Sequence, residues 1–139
     1  MSSPRVLWFD LETTGTDTEE DEIIQIAYRI GDKQGSHLVC PTNIDPDQLD
    51  PEITELTGIR PGDLKGKPKF YQYAGEAFKL FNGVEVIAGY NIINFDLKVL
   101  RRQFADGSRW LDLRPPKQIL DVDRIVKKMY PRKLEDMYA

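Results

Sequence analysis

Two acidic residues follow a short apolar run near the start of this 139-residue chain. Residues 6–9 are Val-Leu-Trp-Phe, and Asp10 and Glu12 come next with Leu11 between them. Because side chains two positions apart on a β-strand point to the same face, the two carboxylates are expected to lie close together. Neighbouring carboxylates repel each other, and a divalent cation removes that cost. The spacing therefore predicts a metal site at the end of a strand.

A third acid, Asp96, is predicted to lie in the first turn of a helix that Asn94 caps. The partial positive charge of a helix N-terminus favours the ionised carboxylate there. A strand predicted over residues 84–88 would bring this helix start to the same sheet edge as Asp10 and Glu12. Three carboxylates without Cys or His ligands suit Mg²⁺ or Mn²⁺ rather than zinc. Two such ions could activate water for phosphodiester hydrolysis, although Asp96 alone could simply be a helix-stabilising charge.

The elements that must position these acids begin with three strands. The continuous apolar run over residues 6–9 predicts a central strand covered on both faces. Residues 22–30 alternate, which predicts a second strand. Its apolar face is expected to hold Ile24, Ile26, Tyr28 and Ile30. A turn over residues 31–35 then leads to a third strand over residues 36–40, so the first three strands form an antiparallel meander.

The rest of the chain shows helical spacing between short apolar runs. Residues 41–69 are predicted to be loop, with a helical turn near residues 51–56. A helix ending at Gly83 is predicted to bury one face, formed by Phe70, Tyr73, Ala74, Ala77, Phe78 and Phe81. The strand over residues 84–88 is followed by a predicted helix that ends at Gly107 and carries Phe95, Leu97, Leu100 and Phe104. An edge strand is predicted at residues 119–120. Helical spacing then resumes at Val122, Ile125, Val126 and Met129. The order predicts one α/β domain over residues 1–139, built on a mixed five-stranded sheet with helices on both faces.

Composition narrows the class of protein. Cys40 is the only cysteine, which excludes an intrachain disulfide framework or Cys-based zinc site. No segment reaches 18 consecutive apolar residues, so we expect no membrane span and a cytoplasmic location. Residues 1–63 hold 14 of the 23 acidic residues and only 4 of the 19 basic ones. The basic second half could contact a polyanion through Arg101, Arg102, Lys117, Lys127, Lys128, Arg132 and Lys133, although solvated surface charge is the alternative.

Three motifs carry a resemblance to a known family. Residues 9–15, Phe-Asp-Leu-Glu-Thr-Thr-Gly, resemble the first motif of DEDD-type 3′-5′ exonucleases. Residues 91–96, Asn-Ile-Ile-Asn-Phe-Asp, resemble the second motif. Residues 56–59, Leu-Thr-Gly-Ile, resemble the segment beside the terminal nucleotide in the branch of the proofreading epsilon subunit of bacterial DNA polymerase III. Residues 119–121 also fit this branch in order and spacing.

The resemblance implies a ribonuclease-H-like fold in which Asp10, Glu12 and Asp96 are catalytic ligands of two Mg²⁺ or Mn²⁺ ions. It also implies a pocket for the 3′-terminal nucleotide, lined by Leu11, Thr13, Thr14, Thr57, Asn91 and Phe95. The implied substrate is the 3′ end of single-stranded or frayed DNA, with RNA left open, and a DNA polymerase or another replication or repair protein is an implied partner. Turn chemistry and core packing are the alternative roles of Thr57, Asn91 and Phe95.

The chain departs from the family pattern at its C-terminal end. The family closes with a helix that carries a His or Tyr general base and a fourth Asp ligand, and neither is visible here. His37 lies on the third strand, and Asp136 and Tyr138 have poor spacing for these roles. We therefore expect a domain truncated at its C-terminus that cuts slowly or not at all, because such a base typically contributes ~10²–10⁴-fold. A fragment, a truncated gene product and an inactive nucleic-acid or protein-binding module all remain open.

Overall fold

A five-stranded mixed sheet forms the centre of the computed structural model, which describes residues 3–106 and 118–123. Its strands lie in the order β3-β2-β1-β4-β5. β1 pairs antiparallel with β2 and parallel with β4, so the predicted central strand is confirmed. The strand bounds are β1 Val6–Thr13, β2 Ile23–Ile30, β3 Lys33–Leu38, β4 Val86–Gly89 and β5 Gln118–Asp121.

Helices connect these strands and cover parts of both faces of the sheet. A 3₁₀ turn over Pro46–Gln48 precedes α1 (Pro51–Thr57) and α2 (Pro61–Leu64). α3 (Phe70–Asn82) lies before β4, and a π-helical turn (Ile92–Asp96) leads into α4 (Leu97–Asp106). In the part of the chain that the structure describes, no helix has the length and apolar character needed to cross a bilayer. Gly107 and the predicted helical positions Ile125, Val126 and Met129 lie outside the described residues.

The main core lies between one sheet face and helices α3 and α4. Leu7, Phe9 and Leu11 alternate along β1 and are buried there. Phe9 packs edge-on against Phe81 of α3, with ring centroids 5.0 Å apart. The apolar stripe predicted for α3 is confirmed, since all its members lie in or against this core. The helix thereby covers the face of β1 opposite to the one that carries Asp10 and Glu12.

The apolar run predicts that β1 is covered on both faces. For the described residues this prediction is wrong. Trp8 points away from α3 and α4 and is 43% exposed. An open cavity of about 660 Å³ lies against it and continues to Asp10. Since strand residues alternate between faces, an apolar run alone cannot reveal which of its side chains a helix will cover.

A β-bulge changes the predicted face of β2. Glu12 pairs with Gln25 and Thr13 pairs with Ile23, so Ile24 is the extra residue. Such an insertion shifts the alternation of side chains between the two faces. Ile24 consequently leaves the face of Ile26 and joins a second apolar cluster under α1 and α2, formed with Leu49, Ile59 and Leu64.

Two strands also begin at residues other than those predicted. Gly31 has φ +57° and forms a tight turn with Asp32, so Ile30 already pairs with Lys33 and β3 starts three residues before the predicted Ser36. β4 pairs with β1 from Val86 onwards and runs to Gly89, rather than over residues 84–88. β5 forms where the edge strand is predicted and pairs parallel with β4.

We predict that Gly89→Ala lowers the free energy of unfolding by about 1–3 kcal/mol, a typical cost of overpacking. A Cβ at Gly89 would lie 2.4 Å from Cγ2 of Ile92 and 2.9 Å from the carbonyl oxygen of Phe9. Because the second contact is with the backbone of the central strand, a side-chain rotation cannot relieve it. Urea unfolding of the variant measures the loss.

Gly62→Ala is the matched control for this substitution. Gly62 lies in α2, and a Cβ there would have no atom within 4 Å. We expect its unfolding midpoint to stay at the wild-type value or rise slightly, since alanine favours a helix over glycine. Equal midpoints for both variants would contradict the steric role of Gly89.

Candidate active site

Asp10 and Glu12 lie on the sheet face opposite to the main core. They alternate with the buried side chains of Phe9, Leu11 and Thr13, as the spacing predicts. Partial burial raises the pKa of the Asp10 carboxyl, while the backbone amide of Leu11 acts in the opposite direction. Burial also raises the pKa of Glu12, and the nearby charge of Asp10 raises it further. The two groups are therefore electrostatically coupled.

Asp96 reaches this strand end from the second motif. It is 5% exposed, and its Oδ2 accepts a hydrogen bond from the Leu11 backbone N–H at 3.0 Å. This contact joins residues 85 positions apart in the sequence. It brings the three predicted acids together around one stretch of β1.

The predicted helix position of Asp96 favours its ionised form, but its surroundings in the structure disfavour that form. Burial raises its pKa to about 7, and the charges of Asp10 and Glu12 raise it as well. The hydrogen bond from Leu11 offsets only part of this rise. Desolvation by the surrounding core is thus the largest influence on its protonation.

The predicted cap by Asn94 is also wrong. Asn94 is exposed inside the π-helical turn, and the turn begins at Asn91, which has φ +57° and no side-chain cap bond. The Leu97 backbone N–H donates to the carbonyl of Ile92, so α4 continues directly from the turn. Asp96 therefore lies at a junction between two helical segments and not at a free helix N-terminus.

The loop after β1 uses its own polar groups. Thr13 Oγ1 donates to the carbonyl of Gly15 at 2.6 Å. Thr14 Oγ1 donates to Asp21 Oδ1 and accepts from the Glu22 amide, both at 3.0 Å. These hydroxyls, expected to face a substrate, are held within the loop.

Asp21 and Arg102 close this loop in a way that the sequence did not reveal. A Cβ at Gly15 would lie 2.4 Å from Asp21 Oδ2, so a larger residue there would displace the Asp21 carboxylate. The Arg102 guanidinium donates to the carbonyls of Thr18 and Asp21. Arg102, a predicted nucleic-acid contact, thus ties the loop to α4, while Arg101 is exposed. The other predicted cations, Lys117, Lys127, Lys128, Arg132 and Lys133, lie outside the described residues.

The remaining predicted pocket residues have structural roles in this geometry. Thr57 Oγ1 donates to the Ile53 carbonyl at 2.8 Å and accepts from the Ile59 amide at 3.1 Å, which closes the end of α1. Thr57 lines a separate cavity with Gln25, the residue paired with Glu12. The ring of Phe95 packs against the main core, and the side chain of Leu11 is buried in it.

Asp121 is a residue of this region to which the sequence analysis gave no role. It ends β5, is 3% exposed, and accepts hydrogen bonds from the amides of Asn91 at 2.9 Å and Ile93 at 3.0 Å. The only signal in the sequence is an acid directly after an apolar edge strand. Its partners lie about 30 residues earlier, and local spacing does not reveal them.

His37 lies apart from the three acids, as expected. It pairs with Ile26 on the core-facing side of the sheet, and its ring contacts Tyr28 and Tyr73. Asp136 and Tyr138 lie outside the described residues.

The fit of a metal to this site rests on donor chemistry. Oxygen donors with coupled, raised pKa values match a hard divalent cation. Within residues 3–106 and 118–123, however, no three His, Cys, Asp or Glu side chains are grouped closely enough to hold one ion. Asp96 Oδ2 is engaged with the Leu11 amide instead. The acids therefore suit a divalent cation in kind and charge, without forming a three-ligand cluster.

The chain is similar to known exonucleases along most of its length. The exonuclease family model RNase_T matches residues 7–139. The 3′-5′ exonuclease DinG of Staphylococcus haemolyticus is 32% identical over 126 residues, which are 88% of this chain and 13% of the relative. The epsilon subunit of DNA polymerase III of Treponema pallidum is 31% identical over 98 residues, which are 70% of this chain and 45% of the relative.

The fold is shared with exonuclease I of E. coli. Its metal-free complex with single-stranded DNA superposes with a TM-score of 0.77 and 22% identity, covering 92% of this chain and 30% of that chain. This chain thus spans less than half the length of these proteins. Taken with the strand order and the meeting of the two acidic motifs, the family match shows that the chain belongs to the RNase_T exonuclease family.

Proposed function

We propose that this chain forms the domain of a divalent-metal-dependent 3′-5′ exonuclease that removes nucleotides from the 3′ end of single-stranded or frayed DNA. The observation that carries the proposal is the hydrogen bond from the Leu11 amide to Asp96. It holds a carboxylate of the second motif beside Asp10 and Glu12 of the first. Single-stranded DNA is the ligand named for the E. coli exonuclease I complex, which supports DNA as the substrate class.

In this proposal Asp10, Glu12 and Asp96 hold the cations. Partial or full burial raises the pKa of all three groups, and repulsion by neighbouring acids adds to the rise for Glu12 and Asp96, so positive charge would favour their ionised forms. A pair of Mg²⁺ or Mn²⁺ ions would supply that charge and the activation of water for phosphodiester hydrolysis. The Leu11 amide orients the Asp96 carboxylate towards the strand end.

The site is accessible to a substrate from solvent. Asp10 is solvent-exposed and lies on the wall of the open cavity of about 660 Å³ beside Trp8 and Tyr90. Leu11, Thr13, Thr14, Thr57, Asn91 and Phe95 stay predictions for the terminal-nucleotide pocket. Because the hydroxyls of Thr13, Thr14 and Thr57 bond within the protein, contact through them would require these bonds to rearrange.

Two further assignments stay predictions. The name of the Treponema relative supports association with a DNA polymerase. The cytoplasmic location rests on the sequence. The role of general base is not given to His37, which lies on the core-facing side of the sheet.

We predict that the chain releases mononucleotides from a 3′-labelled single-stranded oligonucleotide in Mn²⁺ or Mg²⁺, and that Asp10→Asn abolishes most of this release. Residues that only orient metal ligands typically contribute about 10–100-fold to metal affinity or activity. Loss of a direct ligand should therefore lower the cleavage rate by at least about 100-fold. Electrophoresis of the labelled products at high protein concentration measures the rate.

Asp32→Asn is the matched control for the nuclease assay. Asp32 is an exposed acid in the turn between β2 and β3, and the substitution removes the same charge away from the site. It should cleave at the wild-type rate. Absence of release by the wild-type chain above the Asp10→Asn background would instead support a binding module on the same fold.

We also predict that the metal-free chain loses stability as pH rises from about 4 to 8. The pKa of Asp96 is raised from 3.8 to about 7 on folding. The folded state therefore retains a proton that the unfolded state releases, and its stabilising effect is lost as pH passes the folded value. The loss should be on the order of a few kcal/mol, measured by urea unfolding in a chelator.

Asp96→Asn identifies the source of this pH dependence. Its amide oxygen can still accept from Leu11, but it does not titrate. The slope of stability against pH should become clearly smaller in this variant, and Mn²⁺ should stabilise the wild-type chain most at pH 8. Identical slopes in variant and wild type would rule out Asp96 as the titrating group.

A further inference from the structure

Within the described part of the chain, Asp121 accepts three hydrogen bonds from a buried position. Its Oδ1 accepts from the amides of Asn91 at 2.9 Å and Asp123 at 3.1 Å, and its Oδ2 accepts from the amide of Ile93 at 3.0 Å. With 3% exposure, this carboxylate has little water to solvate it. Backbone amides therefore supply the stabilisation that an otherwise costly buried charge requires.

Two of these amides begin the π-helical turn that carries Asp96. Asn91 is the one non-glycine residue with positive φ in residues 3–106 and 118–123, at +57°. This conformation is uncommon outside glycine, although asparagine adopts it more readily than most residues, and the contacts around Asn91 favour it further. The carboxylate of Asp121 binds the chain on both sides of Ile92, directly at this left-handed position.

The turn is also confined by contacts of Ile92. Ile92 is fully buried, and its Cγ2 would lie 2.4 Å from a Cβ at Gly89. The Leu97 amide closes the turn on the Ile92 carbonyl. Asp96 precedes Leu97 and follows Ile93 by three residues, so the orientation of the turn determines where its carboxylate lies.

We propose that Asp121 is a positioning residue for the acidic site. By holding the amides of Asn91 and Ile93, it fixes the π-helical turn and keeps Asp96 on the Leu11 amide, beside Asp10 and Glu12. The affinity of the site for divalent cations then depends on a carboxylate outside the three proposed ligands. This part of the inference rests on the proposed metal-dependent function, whereas the control of the Asp96–Leu11 contact does not.

Asp121→Asn in the full chain tests the proposal. The amide keeps the size of the side chain but replaces one acceptor oxygen with a donor that faces backbone N–H groups. Mn²⁺ binding measured by calorimetry should weaken by about 10–100-fold, as for other groups that orient metal ligands. Hydrogen exchange of the Leu11 amide, followed by NMR without metal, should accelerate more than the global loss of stability explains.

Glu22→Gln provides a matched control. Glu22 is 4% exposed, and its two carboxylate oxygens accept from the amides of Thr42 and Asn43, each at 2.8 Å. The substitution thus makes the same chemical change at a buried, amide-binding carboxylate that does not hold the π-helical turn. It should lower stability but leave Mn²⁺ affinity and the relative exchange rate of the Leu11 amide unchanged.

The outcomes separate the two proposals. Equal effects of both variants, or wild-type behaviour of Asp121→Asn in Mn²⁺ affinity and Leu11 exchange, would overturn the positioning role. If the wild-type chain does not bind Mn²⁺, the proposed function fails, and Leu11 exchange alone decides the role of Asp121. If Asp121→Asn does not fold, Asp121→Glu keeps the charge but displaces it by one methylene. The Asp121→Glu variant should then show the same loss of Mn²⁺ affinity and the same faster exchange of the Leu11 amide. Wild-type values of both quantities would contradict the proposal.

Discussion

The hydrogen bond between the Leu11 amide and Asp96 is the contact on which the candidate site depends. β4 pairs with β1 only from Val6 to Trp8. Among the residues that the structure describes, the side of β1 that faces β4 has no strand partner beyond Trp8, and an amide in a buried position must find another acceptor. The Asp96 carboxylate fills this role. Sheet geometry thus brings the two acidic motifs together. β4 leaves the end of β1 unpaired, and the chain that follows β4 supplies Asp96 as the acceptor.

The same contact explains the electrostatics of the site. Asp96 must leave water to reach the Leu11 amide, and this burial raises its pKa more than the hydrogen bond lowers it. Burial also raises the pKa values of Asp10 and Glu12, although both residues remain nearer to solvent than Asp96. The three acids are consequently held close together at a cost that positive charge can offset.

Several of these features follow from the sequence alone because they depend on local periodicity. The shared face of Asp10 and Glu12, the buried stripe of α3 and the position of β5 all come from spacings within a single element. Wrong predictions occur where one residue disturbs the period. Ile24 is an inserted residue at a bulge, and Asn94 lies inside a π-helical turn instead of before an α-helix. Asp121 and Arg102 act on partners far away in sequence, where no local spacing could reveal their roles.

The exposed position of Trp8 has a practical consequence for work on this strand. Its indole shares a face with Asp10 two residues away and lines the same cavity. Indole emission responds to solvent and to nearby charge, so changes at the carboxylates can be followed without attaching a label. The chain contains one other tryptophan, Trp110, and replacing each in turn by phenylalanine would assign the signal. The side chain left uncovered by the helices thus provides an intrinsic optical probe of the site.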